Sequence, residues 1–579
     1  MRLMGFASAA GLVPIHGLQA GDDGTAMYDM PAFGNARILH ISDCHAQLNP
    51  VYFREPSINI GVGNARGKAP HLVGEELLRH FGIPGGGIES HAYTFLDFSE
   101  AARIYGKVGG FAHLATLVEK MRAEAPLGRS LFIDSGDTWQ GSGTAYWTRG
   151  RDMVEACNLL GVDIMTGHWE FTYQDSEVLD NVDLFNGEFV AQNCKVKEDA
   201  LFDYELGDRG AFDEDSGHVF KPYTIREMGD LRIAVIGQAF PYVPIANPQR
   251  FIPHWTFGIQ QDDMQETVDQ VRDEENPDAV ILLSHNGMDS DLKMAANVRG
   301  IDAIFGGHTH DGMPGATPVS NAGGKTLVTN AGSNGKFLGV MDMDVRGGKL
   351  RDFRYRLLPV FSNLLPAEPA MRDYIARVRA PYLDRLQEEL AVAEDLLYRR
   401  GNFNGTFDQV ICDALRVEGD AQISLSPGFR WGTTVLPGQA ITMEHVMDQT
   451  CITYPETYVR DMTGENLKLI LEDVADNLFN KDPYYQQGGD MVRLGGMDYA
   501  IDPNAGAGER ISAMQLDDGT PIEAAKNYKV AGWATVGSQS EGPPIWDVVA
   551  DYLRRSDTAS ISKLNTPKLK NVSGNPGIA

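Results

Sequence analysis

The sequence predicts an α/β (α+β) fold of two domains joined by a helical linker. Three observations lead there. From Arg37 onward, short apolar runs alternate with stretches of helical periodicity. Near Leu364 the alternation gives way to a charged helical stretch. Of the 579 residues, 43% are hydrophobic and 22% charged. That is apolar mass for more than one core at roughly 150 residues per domain.

The elements follow in order. Residues 37–43 read as a buried strand stopping at a polar end, and 107–124 carry Phe111, Leu114, Val118 and Met121 at helical spacing. Strand-like runs come at 130–134, 162–166, 189–192, 231–237, 279–284, 301–305 and 326–330, with helical stretches such as 264–275 between several of them. Between the first strand and its helix lies an insertion, 48–103, rich in Gly and Pro. Loops of that length in a compact domain are functional or disordered, and a lid or docking surface is the expectation. Residues 369–394 read as a charged helix with a kink at Pro381. After Asn402 a second unit opens, with helices at 407–417 and after Thr463, an N-cap. Turns at Pro427-Gly428, Gln487-Gly488-Gly489 and Gly542-Pro543 punctuate it. The expected division is an N-terminal segment 1–35, a first domain 36–363, a linker 364–400 and a second domain 401–579.

Composition excludes several classes of function. Fifty Lys and Arg against 79 Asp and Glu give a net charge of −29, which disfavours a general nucleic-acid binder and docking on an anionic membrane. An anionic substrate then needs local positive charge, such as metal ions. Five cysteines, odd in number and without a CxxC, indicate neither a disulfide framework nor a zinc ribbon. No run of 18 apolar residues is present to span a membrane. The first 20 residues loosely match a signal-peptide core ending at Leu18-Gln19-Ala20; a disordered start or a remnant of a longer export signal stays open.

The chemistry sits at the C-terminal ends of the apolar runs, where open α/β sheets place ligands. Ile41-Ser42-Asp43-Cys44-His45, Phe132 to Asp137, Met165 to Glu170, Leu283 to Gly287 and Ile304 to His310 deliver Asp43, His45, Asp137, His168, His285, His308 and His310. Each piece alone is weak. Gathered without a cation, the set would strand buried charge and unpaired polar atoms. Two divalent ions resolve this, with Asp137 as the bridging carboxylate. Mixed carboxylate and imidazole ligation suits manganese, iron, cobalt or zinc and argues against calcium. Paired metals acidify a bound water and clamp the oxygens of a tetrahedral oxyanion, so the expected reaction is hydrolysis at phosphorus or sulfur.

Asp-x-His, Gly-Asp, Gly-x-x-Glu, His-x-Gly and Gly-His-x-His in this order resemble the calcineurin-like metallophosphoesterases, and within them the 5′-nucleotidase branch. The resemblance spans roughly residues 36 to 560. It implies a metallophosphoesterase-type β-sandwich covered by helices, followed by a smaller C-terminal α/β substrate domain holding Leu425 to Arg430, Gly495-Gly496-Met497 and Asp502-Pro503. It also implies that Asp43, His45, Asp137 and His310 hold one metal and Asp137, His168, His285 and His308 the other. Where that branch has Gly-Asn-His-Glu, this chain has Gly167-His168-Trp169-Glu170, so a metal-ligand position becomes His168 and a catalytic histidine position becomes Trp169. The aromatic pair that sandwiches a nucleobase is not evident, with Met491 at one of its places. The Gly-His-Trp-Glu-Phe pattern and the long insertion look like the SoxB thiosulfohydrolases of bacterial sulfur oxidation. That likeness implies a dimanganese centre, a periplasmic location and a SoxYZ-type carrier protein bearing a thiosulfonated cysteine as substrate.

Asp137, His168, Trp169 and Arg430 are the expected catalytic residues, and Asn193, Arg430 and Trp169 the expected substrate contacts. Glu170 is expected to support the site rather than react, and Cys44 to pack. A substrate on a peptide arm calls for a channel between the domains, its mouth shaped by the insertion. Rival readings are a periplasmic 5′-nucleotidase or cyclic phosphodiesterase with the same metals, and a metal-stabilised docking protein without turnover.

Overall fold

The structure, a computed structural model, describes residues 24–209 and 211–579. The signal-like start at 1–20 lies outside the described residues.

Two six-stranded sheets form the N-terminal part. Their strands are β1 (Ala36–Ile41), β2 (Ser130–Asp134), β3 (Ile164–Met165), β4 (Glu188–Phe189), β5 (Tyr223–Met228), β6 (Leu231–Gln238), β7 (Ala279–Ser284), β8 (Ala303–Gly306), β9 (Thr317–Asn321), β10 (Gly324–Asn330), β11 (Phe337–Val345) and β12 (Leu350–Pro359). The first sheet runs β12-β11-β1-β2-β3-β4 and the second β9-β10-β8-β7-β6-β5. In the first, β1 to β4 are parallel; in the second, β6, β7, β8 and β10 are. The C-terminal ends of these strands therefore share one rim of the sandwich.

Burial explains the apolar runs. Every residue of β1, β7 and β8 is buried, as parallel strands covered on both faces require. The period of two then sorts the second sheet. Ile233, Val235, Ile281, Leu283 and Phe305 join the core shared with the first sheet. Ala234, Ile236, Val280, Leu282 and Ile304 pack instead against Met264, Val268 and Met294, from the helices Gln261–Gln270 and Met288–Asn297. The sandwich covered by helices is thus observed directly.

Several expected bounds need correction. The helix read at 107–124 begins at Phe111, because Gly109 and Gly110 take positive φ, and the strands read at 162–166 and 189–192 are two residues long. The linker is helical only through Leu386, with a short 3₁₀ turn around Pro381. Glu389–Ala393 is a strand, paired with Ala440–Thr442 and Thr558–Ala559. Its residues favour a helix in isolation, yet Leu390, Ala391 and Ala393 are buried in the second core, and strand pairing prevails there.

The insertion is ordered rather than a loose loop. It carries the helices Gly74–Phe81, Ile88–Tyr93 and Phe98–Tyr105, and Val51 bridges to Val108. The helices Thr406–Glu418 and Gly464–Phe479 stand where expected, the second with the Thr463 side chain accepting from Asn466 N.

Candidate dinuclear metal site

The seven Asp and His residues meet at the shared rim. They form two adjoining groups, Asp43, His45, Asp137 and His310 on one side and Asp137, His168, His285 and His308 on the other, with candidate ligand atoms within 4.8 Å of one another in each. Asp137 belongs to both. Its Oδ2 lies 3.1 Å from His285 Nε2 and 3.3 Å from His168 Nδ1, while Oδ1 accepts from Trp169 N at 2.7 Å.

The backbone is bent to make this convergence. Asp43, His45, Asp137, His308 and His310 all have positive φ, between 44° and 74°. Non-glycine residues avoid that region, and such strain gathers at functional sites. It is held by a mesh of hydrogen bonds: Asp43 N to Gly136 O at 2.8 Å, His45 N to Asp137 O at 2.8 Å and His308 N to Asp43 Oδ1 at 2.9 Å. Gly136 has no alternative, since at φ +94° a Cβ there would meet Thr166 O at 2.7 Å.

Glu170 organises the same loops from beneath. Its Oε1 accepts from Thr138 N (2.8 Å) and Trp139 N (3.1 Å), and its Oε2 from His168 N (2.8 Å) and Asp137 N (3.2 Å). Burial and then the Asp137 charge push its carboxyl upward, against the backbone donors that pull it down. Glu170→Gln turns one oxygen into a donor facing N–H groups. It is expected to cost about 2–4 kcal/mol of stability in urea unfolding and to weaken metal uptake. Full stability in that variant would show the four contacts to be dispensable.

The groups suit cations. The Nε2 atoms of His168 and His308 are buried without a hydrogen-bond partner among the described residues. Such orphans are rare unless something absent from the chain satisfies them. His45 and His285 donate from Nδ1 to Gln140 O (3.2 Å) and Ser135 O (2.6 Å), which turns both Nε2 atoms toward the cluster. His45 Nε2 and His310 Nε2 stand 3.1 Å apart. Burial lowers the imidazoles of His45, His308 and His310 and keeps them neutral. Burial also opposes charge on His285, but the adjacent Asp137 carboxylate prevails and lifts it to about 10. Mixed N and O donors fit borderline divalent ions of the manganese-to-zinc series.

The site opens into a cleft of about 270 Å³ between the N- and C-terminal parts. Asp137, His168, His308 and His310 form its floor; Trp169, Phe240, Phe429, Arg430 and Asp490 are among its walls. The Trp169 ring meets Phe429 and Trp431 edge to face, at 5.5 and 5.1 Å. Arg430 donates to His308 O (3.3 Å) and Gly489 O (2.8 Å), with Nε 3.6 Å from Asp490. No insertion residue lines this cleft, so the expectation that the insertion shapes its mouth is corrected.

Asn193 is also corrected. It is fully buried away from the cleft, where its amide donates to Ala239 O and Gly258 O and accepts from Ala239 N. No polar atom is left to face a substrate. Met491 lies in the second part's core, while the cleft's aromatic pair is Phe429 and Trp431, stacked on each other at 4.0 Å. Cys44 is buried, its Sγ 3.8 Å from Ser42 O, as a packing residue would be.

Sequence reasoning missed Phe240 and Gly488. Phe240 follows the end of β6, and its ring packs against those of His168 (4.0 Å) and His308 (4.2 Å); the strand-end rule that found the histidines applies to it equally. Gly488, at φ +88°, brings its backbone so close to His308 that a Cβ would lie 2.1 Å from Nε2. Nothing local in the sequence signals that contact.

A β-sandwich with a twin carboxylate–imidazole site, capped by a C-terminal α/β unit, defines a metal-dependent hydrolase of the metallophosphoesterase class. Residues 36–312 match the calcineurin-like phosphoesterases, and residues 391–567 match the 5′-nucleotidase C-terminal domain. The chain is 35% identical to the sulfate thiohydrolase SoxB of Thermus thermophilus, over 94% of this chain and 98% of that one, with a TM-score of 0.85. It belongs to the SoxB family, within the 5′-nucleotidase branch of those phosphoesterases. The fold extends to a 5′-nucleotidase precursor, also from Thermus thermophilus, at 20% identity over 93% of this chain and 99% of that one (TM-score 0.71). The trifunctional nucleotide phosphoesterase YfkN of Bacillus subtilis is 25% identical over 473 residues, 74% of this chain and 31% of that protein. The chain spans 31–59% of the length of the first curated relatives it matches.

Proposed function

We propose that the chain hydrolyses a cysteine S-thiosulfonate on a SoxYZ-type carrier protein in the periplasm. Water supplies the oxygen that completes sulfate, the bond between the sulfonate sulfur and its neighbour breaks, and the carrier keeps that neighbour as a persulfide. Asp43, His45, Asp137 and His310 would hold one manganese ion and Asp137, His168, His285 and His308 the other. Bound there, the pair supplies acidity to water and positive charge for the oxyanion. The Arg430 guanidinium, fixed at the cleft wall, offers further donors to the sulfonate oxygens. Trp169 serves twice: its N–H steadies Asp137, and its ring supplies an apolar wall for the arm.

One observation carries this reading. By the motif resemblance Trp169 takes the place of the nucleotidases' acid histidine, and the cleft's imidazoles, His168, His308 and His310, all belong to the metal groups. Among the other lining residues, the Asp490 carboxylate is tied to Arg430 and Arg493. An alkoxide leaving from phosphate wants a proton donor. A persulfide is less basic than an ordinary thiolate, whose conjugate acid has a pKa of about 8.5, and leaves without one. The closed Phe429–Trp431 stack likewise offers no slot for a nucleobase.

Manganese-loaded protein is to be incubated with a thiosulfonated carrier peptide and, separately, with a nucleoside monophosphate. Sulfate release without phosphate release is expected. The reverse pattern would make the chain a nucleotidase, and release of neither a docking protein. Trp169→His is expected to raise phosphatase activity at least about tenfold above background; unchanged activity would end the leaving-group argument.

A further inference from the structure

The insertion contributes nothing to the cleft wall, yet it reaches the metal groups from behind. His71 Nε2 lies 2.8 Å from Asp289 Oδ2, in the first turn of the helix that follows the His285 loop. Its Nδ1 faces Asn59 O at 3.3 Å. Asn59 Nδ2 in turn donates to Asp311 Oδ1 at 3.3 Å, one residue beyond His310. Two insertion residues thus tie the loop carrying His285 to the loop carrying His310, which lie on neighbouring strands β7 and β8. The tie is anchored: Asn59 N donates to Gly577 O at 2.8 Å, and Asn575 Nδ2 to Gly61 O at 3.0 Å. Gly61 lies so close that a Cβ there would meet the His71 ring at 2.8 Å.

A small cavity of about 30 Å³ lies in the same place, lined by Glu55, Asn59, His310, Asp311 and Arg400. Two of its lining residues hold buried, unpartnered nitrogens, His310 Nδ1 and Arg400 Nε. With His310 Nε2 turned to Asp43 and His45, Nδ1 carries the hydrogen. The space admits a solvent molecule, which needs about 10–15 Å³. Both nitrogens are donors that a solvent molecule held there would satisfy. A metal-bound imidazole ordinarily has its second nitrogen engaged in this way, which fixes the ring.

We propose that Asn59 and His71 are positioning residues for the dinuclear site. The insertion acts as a strut that sets the spacing of His285 and His310, rather than as a lid over the cleft. This rests on the two-metal reading above. Manganese titrated into metal-free protein, followed by calorimetry, tests it. Wild-type protein is expected to take two ions; if it does not, the two-metal reading falls and the strut with it. His71→Ala is expected to weaken manganese binding roughly ten- to hundredfold, while the melting temperature of the metal-free protein moves by only a few degrees. His71→Gln, whose amide nitrogen can replace Nε2 toward Asp289, should restore most of the affinity. Unchanged affinity in His71→Ala would overturn the proposal, and so would a glutamine variant no better than alanine. Should His71→Ala fail to fold, Asn59→Ala carries the same expectation and the same overturning result.

Discussion

Asp137→Asn is expected to empty both metal positions at once. Asp137 is the one side chain common to the two groups, so its neutral amide withdraws charge from each. Metal content should fall from two ions per chain to below one, read by elemental analysis, and hydrolysis by at least about a thousandfold, roughly 4 kcal/mol of barrier. The volume hardly changes and the Trp169 N–H still finds an oxygen at that position, so the fold should survive. A variant that keeps both ions would remove Asp137 from the bridging role. The same carboxylate sets a pH dependence. In metal-free protein, Asp137 overcomes the burial penalty and holds a proton on His285 up to about pH 10. An incoming cation must displace that proton, so manganese affinity should rise as pH rises toward that value, with proton release on binding. Asp137→Asn, which lowers the His285 pKa, should flatten that slope.

Arg430→Ala should be the most damaging change on the cleft wall. Two of its nitrogens are held by His308 O and Gly489 O, so the guanidinium is already oriented and loses little entropy on meeting an anion. Its removal is expected to lower kcat/KM for the thiosulfonated carrier by about 10²–10³, or roughly 3–4 kcal/mol, with metal content unchanged. Arg430→Lys should recover only part, because an ammonium cannot reproduce the planar fork. A loss below about threefold would reduce Arg430 to a strut between the two parts of the chain, since that is worth less than one ordinary hydrogen bond.

The strand ends were legible because the signal is local. Each candidate ligand follows an apolar run buried on both faces, and a polar residue just past such a run has only the rim of the sheet to occupy. The misreadings share the opposite character. Residues 389–393 have helix-forming composition, but pairing with Ala440–Thr442 is a contact about fifty positions away. Asn193 sits at a strand end like the true cluster members, yet Ala239 and Gly258 take up its whole amide. The lid half of the expectation for the insertion fails at this cleft because length and Gly/Pro content say that a segment is irregular, not which side of the molecule it packs on.

What the sequence determined by itself is the kind of site: two cations' worth of carboxylate and imidazole at the ends of buried strands, with a tryptophan where an acid would stand. Only the tertiary structure decided how those groups are held. Glu170 collects four backbone amides, Phe240 packs against two imidazoles, Gly488 yields to His308, and Asn59 with His71 braces the loops from behind. The physical reason is that ligand identity follows from side-chain chemistry and strand periodicity, whereas hydrogen-bond partners and close approaches between distant segments exist only once the chain has packed.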